Sequence, residues 1–89
     1  MIKLIAVESK GDLKLLLRFS DGCWGVYDFS HLVATGTAMT APLRDPAFFK
    51  QHFIELGALA WPNGFDLSAG SLYRKLESAA GLHRDSKVA

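Results

Sequence analysis

The residues that could perform chemistry are few and lie far apart in the sequence. The three histidines, His31, His52 and His83, belong to three separate segments, and no two of them have the spacing of metal ligands. The single cysteine, Cys23, cannot complete a structural zinc site and does not begin a helix that would favour a thiolate. The sequence therefore predicts no metal ion, no cofactor and no catalytic residue.

The carboxylates are explained by local structure. Asp21, Asp28, Asp45 and Asp66 each stand at a predicted turn or helix start, where a side-chain oxygen can accept backbone N–H groups. A catalytic acid–base pair would require two of them to converge, which the sequence does not indicate. The glycines are too widely spaced for a phosphate-binding loop. Enzymatic activity is therefore not the favoured interpretation.

The densest run of turn-forming and aromatic residues is the stretch 61–67, which reads Trp-Pro-Asn-Gly-Phe-Asp-Leu. Pro62 ends a short apolar strand because it cannot donate to a strand ladder. Asn63-Gly64 favours a tight turn, and Ser68 or the aspartate before it can cap a helix that follows. This stretch is predicted to end a strand, reverse the chain and start the last helix.

Side chains that combine an apolar body with a polar atom are the best candidates for a functional surface. Tryptophan and tyrosine prefer sites where the polar atom is hydrated or hydrogen-bonded, as at interfaces. Either these residues form the core of the domain, or some of them line a contact surface together with polar residues of the turn. The candidate binding surface consists of Trp61, Asn63, Asp66, Tyr73 and Tyr27.

Two strands with alternating apolar residues flank Asp21-Gly22, which is a strong hairpin signal. A two-residue type I′ turn would pair Phe19 with Trp24. It would also place four residues on one face of the sheet, Leu17, Phe19, Trp24 and Val26. Both faces would carry apolar groups, so the sheet is either covered twice or open to a partner on one side.

Helices are predicted in three places. A helical turn follows Asp28 and is closed by Gly36. A second helix starts at Asp45-Pro46 and runs to about His52, with Phe49 and Phe53 on its buried face. The last helix runs from Ser68 to Ala80, with Gly81 in the left-handed conformation past its end, and residues 53–61 form two short strands around Gly57.

These elements predict an α+β fold with one mainly antiparallel sheet of about four to five strands and two or three short helices. We expect a single domain over residues 1–82 and a flexible C-terminal tail over residues 83–89. The chain has 89 residues, 49% of them hydrophobic, and a net charge of +1. No apolar run is long enough to span a membrane and no secretory signal is apparent, so a cytoplasmic location is expected.

Several motifs carry a resemblance to a known family: Phe19-Ser20-Asp21-Gly22; Tyr27-Asp28 before a short helix; Pro42-Leu43-Arg44-Asp45 with Phe49; Trp61-Pro62-Asn63-Gly64 with Asp66-Leu67; and Leu72-Tyr73. In this order they resemble the small bacterial domain-of-unknown-function family numbered twenty-four forty-two. The resemblance implies an α+β fold with an antiparallel sheet. It also implies regulatory roles, because members are sometimes fused to a helix-turn-helix domain or encoded beside another small protein in what look like toxin–antitoxin pairs. It implies no catalytic residues.

Three functions are consistent with these observations. The first is a small protein-interaction or regulatory module, antitoxin-like, whose partner is another protein or a second copy of the chain. The second is a small-molecule-binding protein or minor enzyme with a pocket near Trp61, Asp66 and Tyr73. The third is weak DNA binding by residues 74–89, where Arg74, Lys75, Arg84 and Lys87 outnumber Glu77 and Asp85. Because the sequence contains no extended run of arginines and lysines, direct nucleic-acid binding is the least favoured of the three functions.

Overall fold

The structure is a computed structural model that describes residues 1–84. Within residues 1–84, seven strands, three α-helices and one 3-10 turn follow one another, which makes the fold α+β as the sequence predicts. In chain order they are β1 (Leu4–Ser9), β2 (Lys14–Phe19), β3 (Cys23–Asp28), α1 (Ser30–Thr35), the 3-10 turn (Ala41–Arg44), α2 (Pro46–Phe49), β4 (Phe53–Glu55), β5 (Ala58–Ala60), β6 (Asp66–Leu67), α3 (Ala69–Ser78) and β7 (His83–Arg84).

The strands form two antiparallel sheets rather than one. The main sheet has four strands in the order β1-β2-β3-β7, and the small sheet has three in the order β4-β5-β6. The backbone N–H of Leu4 donates to the carbonyl of Gly57 at 2.9 Å and joins β1 to the β4–β5 turn. The sequence pattern shows where strands occur, but it does not show this division.

The β2–β3 turn differs from the predicted two-residue turn. The loop has three residues, 20–22, and the N–H of Gly22 donates to the carbonyl of Phe19 at 3.1 Å. Gly22 has a φ of 90°, whereas Asp21 does not have the positive φ that a type I′ turn requires. The Asp21 carboxylate instead accepts the N–H of Cys23 at 2.9 Å. The loop is a tight turn followed by a glycine bulge.

The extra loop residue shifts the strand register by one position, and this corrects the predicted faces. Arg18 pairs with Trp24, so Phe19 does not. Because alternate residues point to opposite faces, Trp24 and Val26 lie on the face opposite to Leu17. The face that carries Leu17 packs into the core and is called the inner face here; the opposite one is called the outer face.

The first two helices are short. In α1 the Asp28 carboxylate accepts the N–H of Ser30 at 2.9 Å, and Gly36 closes the helix in the left-handed conformation, as predicted. Helix α2 begins as predicted, with Asp45 as its cap, but it ends at Phe49. The predicted continuation to His52 is wrong because the chain instead enters β4, where Phe53 pairs with Ala60 and is 42% exposed.

The last helix is capped by Ser68, whose hydroxyl accepts the N–H of Ser71 at 3.1 Å. Ala80, rather than Gly81, adopts the left-handed conformation, with a φ of 57°. The N–H of Gly81 then donates to the carbonyl of Leu76 at 2.8 Å and closes the helix end. The predicted tail does not start at residue 83, since His83 and Arg84 form β7 beside β3. The rest of that predicted tail, residues 85–89, lies outside the described residues.

The close approach of α3 to the main sheet depends on Gly25 in β3. A Cβ at this position would lie 2.5 Å from the carbonyl oxygen of Gly81 and 2.9 Å from a methyl group of Leu76. The first of these atoms belongs to the backbone and cannot rotate away. The end of α3 can therefore lie this close to the sheet only because residue 25 is a glycine.

We expect Gly25→Ala to lower the free energy of unfolding by about 1–3 kcal/mol, because the added methyl group forces α3 away from the sheet. Chemical denaturation measures this change. The matched control is Gly70→Ala in α3, where the added Cβ would meet only the guanidinium end of Arg74 at 3.4 Å. Alanine favours a helix more than glycine does, so the control should be neutral or stabilising. Equal stability of Gly25→Ala and the native protein would contradict the requirement.

Candidate functional site on the outer face of the main sheet

Trp61, the centre of the predicted binding surface, is a core residue. Its side chain is 1% exposed, and its indole N–H donates to the carbonyl of Phe49 at 3.0 Å. The rings of Phe29, Phe49 and Phe65 surround it, with centroid distances of 5.9, 5.9 and 5.7 Å. Of the two interpretations that the sequence left open for this tryptophan, the structure places it in the core, so the indole cannot contact a partner.

The polar residues beside Trp61 are exposed, but one of them has a structural contact. The side-chain amide of Asn63 donates to the carbonyl of Met39 at 3.1 Å, while its oxygen accepts the N–H of Phe65 at 3.2 Å. Asn63 thus joins two loops and holds its own turn. Asp66 lies in β6, is exposed and pairs with Ala60.

Tyr73 joins α3 to the β2–β3 turn. Its hydroxyl donates to the carboxylate of Asp21 at 2.6 Å and lies 3.6 Å from the sulfur of Cys23. Its ring packs edge-on against Phe19, with a centroid distance of 5.2 Å. The guanidinium of Arg84 lies 3.9 Å from the same carboxylate and donates to the Asp21 carbonyl at 3.3 Å. This network holds the turn, α3 and β7 together.

The network also determines the protonation of its members. Partial burial raises the pKa of Asp21. The hydrogen bonds from Tyr73 and from the Cys23 N–H, together with the positive charge of Arg84, lower this pKa by more, so it lies below its ordinary value. The hydrogen bond to Asp21 holds the pKa of Tyr73 well above its usual range. The phenol is therefore a stable donor at neutral pH, which suits a structural contact better than proton transfer.

Tyr27, the fifth predicted residue, lies at the opposite end of β3 from Cys23. Its ring packs edge-on against Phe29 at a centroid distance of 4.7 Å. One side of the residue lines an open groove along α3, whose other walls include Ser71, Arg74 and Lys75. The predicted surface is therefore distributed among a core position, a loop contact, a turn network and a groove, and it does not form one continuous site.

The outer face of the main sheet carries a group of side chains that the sequence analysis did not assign to a binding surface. The register places Ala6, Arg18, Trp24 and His83 in one row across the four strands. A second row consists of Glu8, Leu16 and Val26. Cross-strand partners point to the same face, so both rows lie opposite to the face that α3 covers.

In the first row the side chains of Arg18, Trp24 and His83 contact one another in sequence across the sheet. The guanidinium of Arg18 lies 6.0 Å from the centre of the Trp24 ring, and the Trp24 and His83 rings are 4.7 Å apart. Trp24 is half-buried and Arg18 is exposed, while Val26 in the second row is 41% exposed. Cation–π and ring contacts of this kind restrict the side chains before any partner binds. The outer face thus offers a partly preorganised apolar and cationic surface.

The sequence carries a signal for an apolar outer face, but the predicted register does not place Trp24 on it. The apolar character of both strand faces predicts a sheet that is either covered twice or open to a partner on one side, but the predicted register places Trp24 beside Leu17 and Phe19. His83 was assigned to the tail. In the described part of the chain, no three histidine, cysteine, aspartate or glutamate side chains gather as metal ligands would.

The comparison with protein families identifies the class to which this small α+β domain belongs. The model of the family described as "Protein of unknown function (DUF2442)" matches residues 4–78. The match covers most of the chain, so the protein belongs to this family, and the resemblance seen in the sequence is confirmed. No curated protein and no solved structure shows a match to the chain. Within residues 1–84, the helices are all too short or too polar to cross a membrane.

We expect Tyr73→Phe to lower the free energy of unfolding at neutral pH, because it removes the hydroxyl donor to Asp21 and leaves the ring in place. The native pKa of Asp21 lies below its ordinary value of 3.8, so this stabilisation is present above that value and disappears as the pH falls through the lowered pKa. The difference between variant and native protein should therefore narrow as the pH falls below 3.8.

Denaturation curves at a series of pH values measure the effect of Tyr73→Phe. Tyr27→Phe is the matched control, since the Tyr27 hydroxyl forms no hydrogen bond with the residues that the structure describes, and it should show no such pH dependence. A stability difference for Tyr73→Phe that is constant from neutral to acidic pH would contradict the role of the Asp21 contact.

Proposed function

We propose that this protein is a small protein-interaction or regulatory module of the bacterial cytoplasm, and that it binds its partner through the outer face of the main sheet. The observation that supports the proposal is the row of Arg18, Trp24 and His83 with Val26 beside it, in which Trp24 is half-buried and the other three residues are exposed. Tryptophan and arginine are enriched among the residues that dominate binding energy at protein interfaces. The partner is another protein or a second copy of the chain.

The charges on the outer face indicate the chemistry of the partner surface. Arg18 and His83 belong to the first row beside Trp24, while Glu8 lies in β1 at the edge of the second row. A partner that presents apolar side chains flanked by carboxylates would complement the arginine. An antitoxin-like role, in which the module covers part of a second small protein, is one form that such binding takes. Direct DNA binding is less supported, because the basic side chains of α3 line a different surface.

The test is a comparison of two substitutions that introduce the same charge. Val26→Glu places a carboxylate in the centre of the outer face. Ile54→Glu is the matched control, since Ile54 is also a β-branched strand residue and is 37% exposed, but it belongs to the small sheet. We expect Val26→Glu to weaken binding at least about tenfold, the effect of losing about 1.4 kcal/mol, and Ile54→Glu to leave it unchanged.

Sedimentation velocity measures self-association of each purified protein, and affinity capture followed by titration with the purified partner measures association with another protein. Denaturation curves establish that both variants are folded. Loss of binding with Val26→Glu alone supports the proposal. A partner that binds both variants equally, loss of binding with Ile54→Glu alone, or a salt-sensitive shift on DNA without any protein partner would refute it.

A further inference from the structure

A second surface feature is a pocket whose lining residues all lie outside the two rows of the outer face. It has a volume of about 580 Å³ and lies between the β1–β2 turn and the segment that contains α2. This volume falls within the usual range for small-molecule sites. The pocket is more enclosed than the groove beside Tyr27, and neither Trp61 nor Asp66 lines it.

The pocket combines an apolar floor with cationic walls. The half-buried Leu13 provides accessible apolar surface, and Phe49, a core residue that is 2% exposed, closes the pocket on the side of the core. Arg44 and Lys50 provide two positive charges from positions before and after α2, and both side chains are exposed. The Arg44 guanidinium donates to the carbonyl of Val33 at 3.4 Å, which orients it at the end of α1.

The positive charges around the pocket are only partly neutralised within the described residues. Neither Arg44 nor Lys50 forms an ion pair there, since the ion pairs of residues 1–84 are Lys10 with Glu8 and Arg84 with Asp21. Asp12, at the tip of the β1–β2 turn, also lines the pocket and leaves it with a net charge of one positive unit from two cations and one carboxylate. Two cations at one pocket attract an anion and repel each other until one binds.

We infer that this pocket binds a small organic anion, with its carboxylate between Arg44 and Lys50 and its apolar body against Phe49 and Leu13. Arginine and lysine are suited to carboxylates, and the guanidinium can donate hydrogen bonds to both carboxylate oxygens at once. The apolar floor distinguishes such a ligand from inorganic phosphate, which would gain the charge contacts alone. The inference is independent of the outer face, because the two surfaces share no residue.

The inference predicts opposite effects for two substitutions in the same pocket. Lys50→Gln removes one of the attracting charges and should weaken binding of phenylacetate about fivefold, as for an exposed ion pair. Asp12→Asn removes the repelling charge and should strengthen it by a similar factor. Residue 12 has a φ of 48°, a conformation that asparagine also tolerates, so this variant keeps the turn. A purely structural role for these residues would not give effects of opposite sign.

The experiment titrates isotope-labelled protein and follows the backbone amide signals by NMR. The probes are phenylacetate, its uncharged analogue phenylacetamide, and inorganic phosphate. Lys75→Gln is the matched control, because Lys75 lines the groove along α3 instead. We expect saturable shifts at Ser9, Gly11 and Phe49 with phenylacetate, at least about fivefold weaker binding of the other two probes, and no change with the control variant.

Several results would overturn the inference. The first is the absence of saturable shifts with phenylacetate. The second is binding of phenylacetamide or phosphate as tight as that of phenylacetate, which would mean that the charge or the apolar floor contributes nothing. The third is an equal effect of Lys50→Gln and Lys75→Gln, or shifts that cluster at Tyr27 and Ser71, either of which would indicate unspecific attraction to the basic surface.

Discussion

The packing of Trp61 holds the two sheets and the short helix α2 in one arrangement. The indole follows β5 of the small sheet, contacts Phe29 beyond the end of β3, and donates its N–H to the carbonyl of Phe49 in α2. A buried N–H without an acceptor would cost about 1–3 kcal/mol, so α2 must present that carbonyl for the core to close. A helix of four residues is not stable by itself. The hydrogen bond therefore stabilises α2, and the carbonyl of Phe49 in turn supplies the acceptor that the buried indole N–H requires.

The core contacts also determine which surfaces remain for function. Since α3 and the aromatic cluster occupy the inner face of the main sheet, the outer face is the one that meets solvent. The two tryptophans consequently have different roles: Trp61 stabilises the centre of the molecule, and Trp24 lies on a face that no described helix covers. Tyr73 has a similar structural role, because its hydroxyl donates a hydrogen bond to Asp21 and its ring packs against Phe19.

The two turns show how much the sequence could predict. In both, an Asp or Asn side chain accepts the N–H two residues later, and the glycine that follows has a positive φ and donates its N–H to the carbonyl three residues before it: Asp21-Gly22 and Asn63-Gly64. Residue types alone located both turns, the caps at Asp45 and Ser68, and the fold class. They did not determine the loop length, because Asp-Gly suits both a two-residue turn and a bulged three-residue one. One residue of difference reverses the face of every side chain in β3.

The other errors arose where distant contacts override local pattern. The spacing of Phe49 and Phe53 fits a helix, but Phe53 instead pairs with Ala60 in a strand. The spacing of apolar residues along the sequence does not reveal this pairing. A two-residue strand such as β7 has almost no sequence signal, and it forms because Arg84 contacts Asp21 and His83 contacts Trp24. These contacts connect the turn network to the outer face: β7 supplies the last ring of the first row, and its Arg84 contacts the carboxylate to which Tyr73 donates. The hydrogen bond from Tyr73, formed on the other side of the sheet, is thereby linked through Asp21 and Arg84 to the strand that carries His83.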